Sequence, residues 1–176
     1  MRLDPKYFNR FILVIAFLCV IAIIYFNFYY QQRQLVLIDE RIADGSVLAE
    51  TDFQRLGREG SVNLIELSGE KKMIIFWAPW SERAVELAGL LDDELQNTPV
   101  TVVSAVVRDT PDAVQNLGLM TMENVHHVDG TQVYNDFRIP GIPAIFVFDS
   151  ANRMIHYKIG YRESRDYDEL TAVLRQ

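Results

Sequence analysis

Sulfur and positive charge are both scarce in this chain. Cys19 is the only cysteine among 176 residues, so no intrachain disulfide can form. That absence assigns no compartment and says only that oxidation does not hold the fold. Lys and Arg number 17 against 24 Asp and Glu, a net charge of −7. The bases are unevenly spread. Arg2, Lys6, Arg10 and Arg33 against Asp4 give residues 1–33 a net of +3, which leaves −10 for residues 34–176. A domain of that charge repels nucleic acid and anionic lipid surfaces, and no basic patch with interleaved aromatics offsets it. Low-complexity segments and internal repeats are missing as well. Apolar residues make up 49% and charged residues 23%, which excludes disorder and suits one anchor plus one domain of ordinary size.

One long apolar run is present. Residues 11–30 read FILVIAFLCVIAIIYFNFYY, broken only by Asn27. At about 1.5 Å per residue the run spans about 30 Å, the thickness of a hydrocarbon core. Tyr25, Tyr29 and Tyr30 gather at one end, as in an aromatic belt, and Arg2, Lys6 and Arg10 precede the run. The sequence therefore predicts a cytoplasmic tail over 1–10, a single span of the cytoplasmic membrane over 11–30, and an extracytoplasmic, periplasmic remainder. A cleaved signal peptide has a shorter apolar core ending in small residues, whereas this run ends in aromatics. A lipoprotein signal needs a small residue before the cysteine, and Leu18 stands there. An uncleaved signal anchor is the expectation, with Cys19 near mid-span as an apolar filler.

Residues 31–52 read as a polar, helix-compatible stalk. From Phe53 the period changes. DFQRL and SVNLIEL around GREG read as a hairpin, and KMIIFWA (72–78) as a buried strand. Ala84, Val85, Leu87, Ala88, Leu91 and Leu95 form a helical stripe behind Ser81, which suits an N-cap with Glu82 in the first turn. A strand over 100–107 follows, then a helix that starts near Pro111 and ends at Gly118. NVHHV reads as a strand and QVYNDFR as a helical turn. AIFVFDS and MIHYKIG read as two strands about Ala151–Asn152, and the terminal helix carries Leu170, Val173 and Leu174 on one face. After the hairpin the order is β-α-β-α-β-α-β-β-α, an α/β domain with a mixed sheet whose last two strands form an antiparallel hairpin.

Three local signatures in that order resemble the thioredoxin superfamily, and within it the membrane-anchored TlpA/ResA-type thiol-disulfide oxidoreductases of bacterial envelopes. They are Phe76-Trp77-Ala78-Pro79-Trp80, the run from Val133-Tyr134 to Arg138-Ile139-Pro140-Gly141-Ile142-Pro143-Ala144, and Phe148-Asp149 through Arg153 to Gly160. The resemblance covers about residues 50–176. It implies a thioredoxin-like fold over 53–176 with an N-terminal hairpin, a helix-strand insert over 109–128 and a cis proline at Pro143. It also places the family's two cysteines on Ser81 and Ala84, and its buried acid on Ile75. All three positions lack the family's residue.

Disulfide exchange needs a thiolate, and a serine hydroxyl is not meaningfully ionised near neutral pH. Ser81 as a hydrolase nucleophile would need a base beside it, and no motif brings His126, His127 or His156 there. The adjacent His126-His127 near Asp129 invites a metal site, but neighbouring strand residues point to opposite faces and no ligand spacing supports one. Neither a metal nor another cofactor is expected.

What remains is a surface. The resemblance implies that an extended client segment pairs with the backbone before the proline, at Ile142 and Pro143, against a wall that includes Trp80. Trp77 is expected in the core and Trp80 on the rim. Glu82 and Arg83, adjacent on the helix, cannot face each other and either read a partner's charge or form a solvated face. The expected function is a non-catalytic protein that binds or assembles envelope proteins, with maturation of cytochrome c or redox proteins as a setting. Two alternatives stay open: a redox enzyme acting with a cysteine-bearing partner, and a structural subunit of a membrane complex.

Overall fold

The computed structural model describes residues 11–27, 29, 46–95, 98–110, 112, 125–162 and 165–175. The chain divides into two compact units, Met1–Asp39 and Glu40–Gln176. In the first, residues 11–27 form one helix, α1, with every side chain exposed. Tyr25 and Tyr29, one turn apart, stack with ring centroids 6.2 Å apart. Among the described residues no helix is long and apolar enough to cross a membrane. Phe28 and Tyr30, which complete the apolar run, lie outside the described residues.

The second unit contains α2 (Ser46–Ala49), β1 (Asp52–Arg55), β2 (Ser61–Asn63), a 3-10 turn (Leu64–Glu66), β3 (Lys71–Trp77), α3 (Glu82–Leu95), β4 (Val100–Val106), β5 (Val125–Asp129), α4 (Thr131–Asp136), β6 (Ala144–Asp149), β7 (Met154–Ile159) and α5 (Arg165–Arg175). The helix expected between β4 and β5 falls almost wholly outside the described residues. The seven strands form one sheet in the order β2-β1-β5-β4-β3-β6-β7. β3–β4 and β4–β5 are parallel. β1–β2, β1–β5, β3–β6 and β6–β7 are antiparallel, which makes the sheet mixed, as the element order implies.

The unbroken apolar run of β3 has a physical cause: both of its faces are covered. Met73, Ile75 and Trp77 pack with Ala84, Leu87, Ala88 and Leu91 of α3 and with Leu170 and Leu174 of α5. Phe76 points the other way, with ring centroids 6.1, 6.3 and 5.9 Å from those of Phe53, Tyr134 and Phe146.

Two element boundaries differ from the sequence reading. The stalk was expected to run to residue 52, yet Leu48 and Ala49 of α2 are buried, and Asn63 Nδ2 donates to Glu50 O at 2.8 Å. Their polar flanks conceal a short apolar turn that packs into the domain. The second hairpin strand was expected to include residues 64–67. Asn63 ends it early, because its Oδ1 accepts from Ile65 N at 3.0 Å and starts the 3-10 turn. Such side-chain bonds compete with the strand ladder. The hairpin itself closes through Gly57 and Gly60 at φ +68° and +102°, values that side chains disfavour.

Charged side chains fasten the ends of the core. Lys71 Nζ donates to Val173 O and Leu174 O at 2.7 and 2.9 Å, satisfying carbonyls left over at the C-terminus of α5. Arg175 closes on both carboxylate oxygens of Glu94 at 2.6 Å, tying α5 to α3. Lys72 is 3% exposed. It donates to Leu64 O and to Asn152 Oδ1, and burial pulls its ammonium below the usual lysine range.

Three carboxyls are held below their ordinary range. The Arg175 bond does this for Glu94 against the opposing effect of burial. The Arg153 backbone N–H does it for Asp149. For Asp166, burial pushes upward but is outweighed by bonds from Lys158 and the Arg162 N–H. A carboxyl whose folded pKa is depressed stabilises the fold above its unfolded pKa, and that contribution is lost as pH falls through the folded value. Thermal melting is expected to begin falling below about pH 6.5, where the unfolded chain takes up protons more readily than the half-buried His126 and His156 of the fold, and to fall further below about pH 4 as the three carboxyls protonate. Glu94→Gln should lower the midpoint at pH 7 and shrink the acid loss. An equal drop at neutral and acid pH would contradict the assignment.

Candidate functional site

The site grows from the C-terminal end of β3. Ser81 N donates to Ala78 O at 3.0 Å, closing a turn that carries Pro79 and Trp80. Ser81 O then accepts from Ala84 N and Val85 N at 2.9 and 3.0 Å, so Ser81 stands at the N-cap position of α3. Trp77 is fully buried and Trp80 is 62% exposed, the division expected for the two tryptophans. Ser81 is half-buried, Glu82 and Arg83 are exposed, and Ala84 is buried.

Strand register brings the second segment alongside. Phe76 pairs with Ala144 in the antiparallel β3–β6 ladder, so Trp77 and Pro143 are the next residues outward. The Ile142–Pro143 peptide bond is cis, as the sequence resemblance implies. Pro143 is buried and its carbonyl accepts from Gly160 N at 2.8 Å. Pro143 is thus closed off on its carbonyl side, while Ile142 before it is only half-buried.

Beneath this surface the chemistry is apolar. Ile75 and Ala84, at the positions of the family's acid and second cysteine, belong to the same buried cluster. Beside them runs a polar chain that the sequence reading missed. Trp77 Nε1 donates to Ser104 Oγ at 2.8 Å, and Ser104 Oγ lies 3.0 Å from His127 Nδ1. Ser104 Oγ accepts from Trp77, and the imidazole tautomer sets which way the bond to His127 runs, so Ser104 Oγ and Trp77 Nε1 are both satisfied. Ser104 is fully buried, so this Ser–His contact offers no nucleophile to a substrate. The only early signal was the lone serine in the apolar run VTVVSAVV. His126, on the same strand, is pulled below the ordinary histidine range by burial first, then by Arg55 and His127. Among the described residues no three His, Cys, Asp or Glu side chains converge as a metal site.

Neither a family model nor a curated protein matches the chain. Solved structures do. A thioredoxin-like protein from Aeropyrum pernix superposes with a TM-score of 0.62 at 16% identity, over 78% of this chain and 94% of that one. A secreted Mycobacterium tuberculosis disulfide oxidoreductase, described as homologous to E. coli DsbE, gives 0.59 at 18%, over 72% and 96%. StoA from Bacillus subtilis gives 0.51 at 15%, over 69% and 97%.

This chain has a thioredoxin-like fold.

Within the thioredoxin-like fold the turn at 78–81 and the loop at 142–143 sit side by side, and no sulfur stands in either, since Cys19 is the sole cysteine. The arrangement presents an exposed indole and a half-buried loop beside a capped helix. It offers no cysteine thiol and, among the described residues, no metal ligand set.

Proposed function

We propose that this protein is a membrane-anchored, extracytoplasmic binding or assembly protein that uses a thioredoxin-like groove without thiol chemistry. The observation that carries this reading is the pairing of an exposed Trp80 with a cis-proline loop around positions 81 and 84, which hold serine and alanine. An extended segment of an envelope protein pairs with the backbone at Ile142 and lies against Trp80, as strand addition and aromatic hot spots both favour. Ser81, Glu82 and Arg83 border the same surface, over the buried Pro143.

Membership of the TlpA/ResA-type proteins is part of this proposal, supported by the opening hairpin and the sequence signatures. So is the anchor over residues 11–30, supported by its apolar sequence, the bases before it and the exposure of every side chain over 11–27. Maturation of cytochrome c or other envelope redox proteins is the setting proposed, on the resemblance alone.

The test is a turbidity assay with the full-length chain, insulin and dithiothreitol. The expected rate equals that of dithiothreitol alone. Acceleration above that rate would overturn the non-catalytic reading.

A further inference from the structure

Next to the groove a cavity of about 410 Å³ opens between the first turns of α3 and the segment after β7, lined by Arg83, Glu86, Tyr161 and Arg162. Its position follows from the fold. Gly160 N bonds to Pro143 O, so Tyr161 and Arg162 leave the sheet directly beside the proline loop. Tyr161 is 4% exposed and packs into the core cluster with Ala84 and Leu87, which gives the cavity a fixed floor.

The guanidinium groups are the informative part. Arg153 is closed on Asp149 and Arg175 on Glu94. Among the described residues, no ion pair engages Arg83 or Arg162, although residues 34–176 carry a net −10. Two arginines therefore line one cavity without a salt bridge, the Arg162 guanidinium acting on Asp166 only through its longer-range charge, and guanidinium forks match a carboxylate in a planar, two-bond geometry. Glu86 supplies one opposing charge. Together with the acidic domain it disfavours polyanions, so the cavity suits a single carboxylate rather than a phosphate backbone or an acidic tract.

We propose that this cavity receives one Asp or Glu side chain of the peptide segment bound at Ile142, an inference that rests on the groove reading above. Specificity would then come from the arginines and affinity from Trp80 and the backbone.

The test pans a phage-displayed random heptapeptide library against the full-length chain immobilised in mild detergent. Asp or Glu should be enriched about fivefold at one position, the upper end for an ion pair open to solvent. Arg83→Gln/Arg162→Gln should abolish the enrichment, and Arg83→Glu/Arg162→Glu should replace it with Lys or Arg. Both arginines are exposed, and unchanged melting of the variants would show that the fold is intact. Specific peptides without acidic enrichment, or with enrichment unmoved by the variants, would overturn the carboxylate inference and leave the groove reading standing. Failure to select any specific peptide would overturn both.

Discussion

Ser81→Cys/Ala84→Cys is expected to turn the protein into a disulfide exchanger. The scaffold already supplies the geometry. Ala84 N donates to Ser81 O at 2.9 Å, so the two positions lie one helical turn apart, within the reach a disulfide needs. Position 81 is half-buried and position 84 buried, which assigns attack to the first sulfur and resolution to the second. At the N-terminus of α3 the first thiol should ionise near pH 7 instead of 8.5, giving about fifteenfold more thiolate at neutral pH than a free cysteine. That thiolate attacks a client disulfide, one client sulfur leaves as thiolate, and the mixed disulfide is then attacked by the second sulfur, releasing the other. Ser81→Cys alone should stall at the mixed disulfide. Insulin reduction by the double variant above the reductant-only rate is the expected result. A double variant that forms no internal disulfide and reduces nothing would show that the turn at 78–81 is no longer shaped for exchange.

Ile75→Asp should be the most damaging single change near the site. Ile75 is fully buried and sits opposite Ser104 and Ile145 in the two neighbouring strands. An aspartate there loses apolar burial and faces a serine hydroxyl already engaged by Trp77 and His127. The expected cost at pH 7 is about 4 kcal/mol, or roughly 10–20 °C in melting temperature. The new carboxyl's folded pKa should rise above its unfolded value. Its penalty is then least below about pH 4 and grows as pH rises through the folded value. A melting change within about 2 °C, or one independent of pH, would mean that the core at position 75 is wetter than its burial implies. In the double-cysteine background the same substitution restores a proton acceptor beneath position 84 and should speed the resolving step.

Much of the architecture could be read from the chain because local and global signals agree. The apolar runs of β3, β4 and β6 mark central strands, and the stripe from Ala84 to Leu95 marks the helix that covers them. The separation of Trp77 from Trp80 followed from their places before and after the turn residue Pro79. What escaped depends on register. Ser104 and His127 meet because β4 and β5 run parallel with those two residues paired, a fact no local pattern contains. Arg83 and Arg162 line one cavity although 79 positions separate them, because the return of β7 beside the proline loop brings them together. α2 was hidden for the opposite reason: three apolar residues between polar flanks are too short a signal to separate from a stalk. The helix expected over 109–118 lies almost wholly outside the described residues.

The account's central claim is that the sulfur-free groove holds a partner. A photoreactive residue placed at position 81 in the full-length chain, expressed in intact cells, tests this most directly, with a second probe at Glu59 in the exposed hairpin turn as reference. The account predicts a discrete crosslinked species from position 81 that disappears when Trp80 is replaced by alanine, with no such species from position 59. The same species from both positions, or one from position 81 that survives Trp80→Ala, would contradict it.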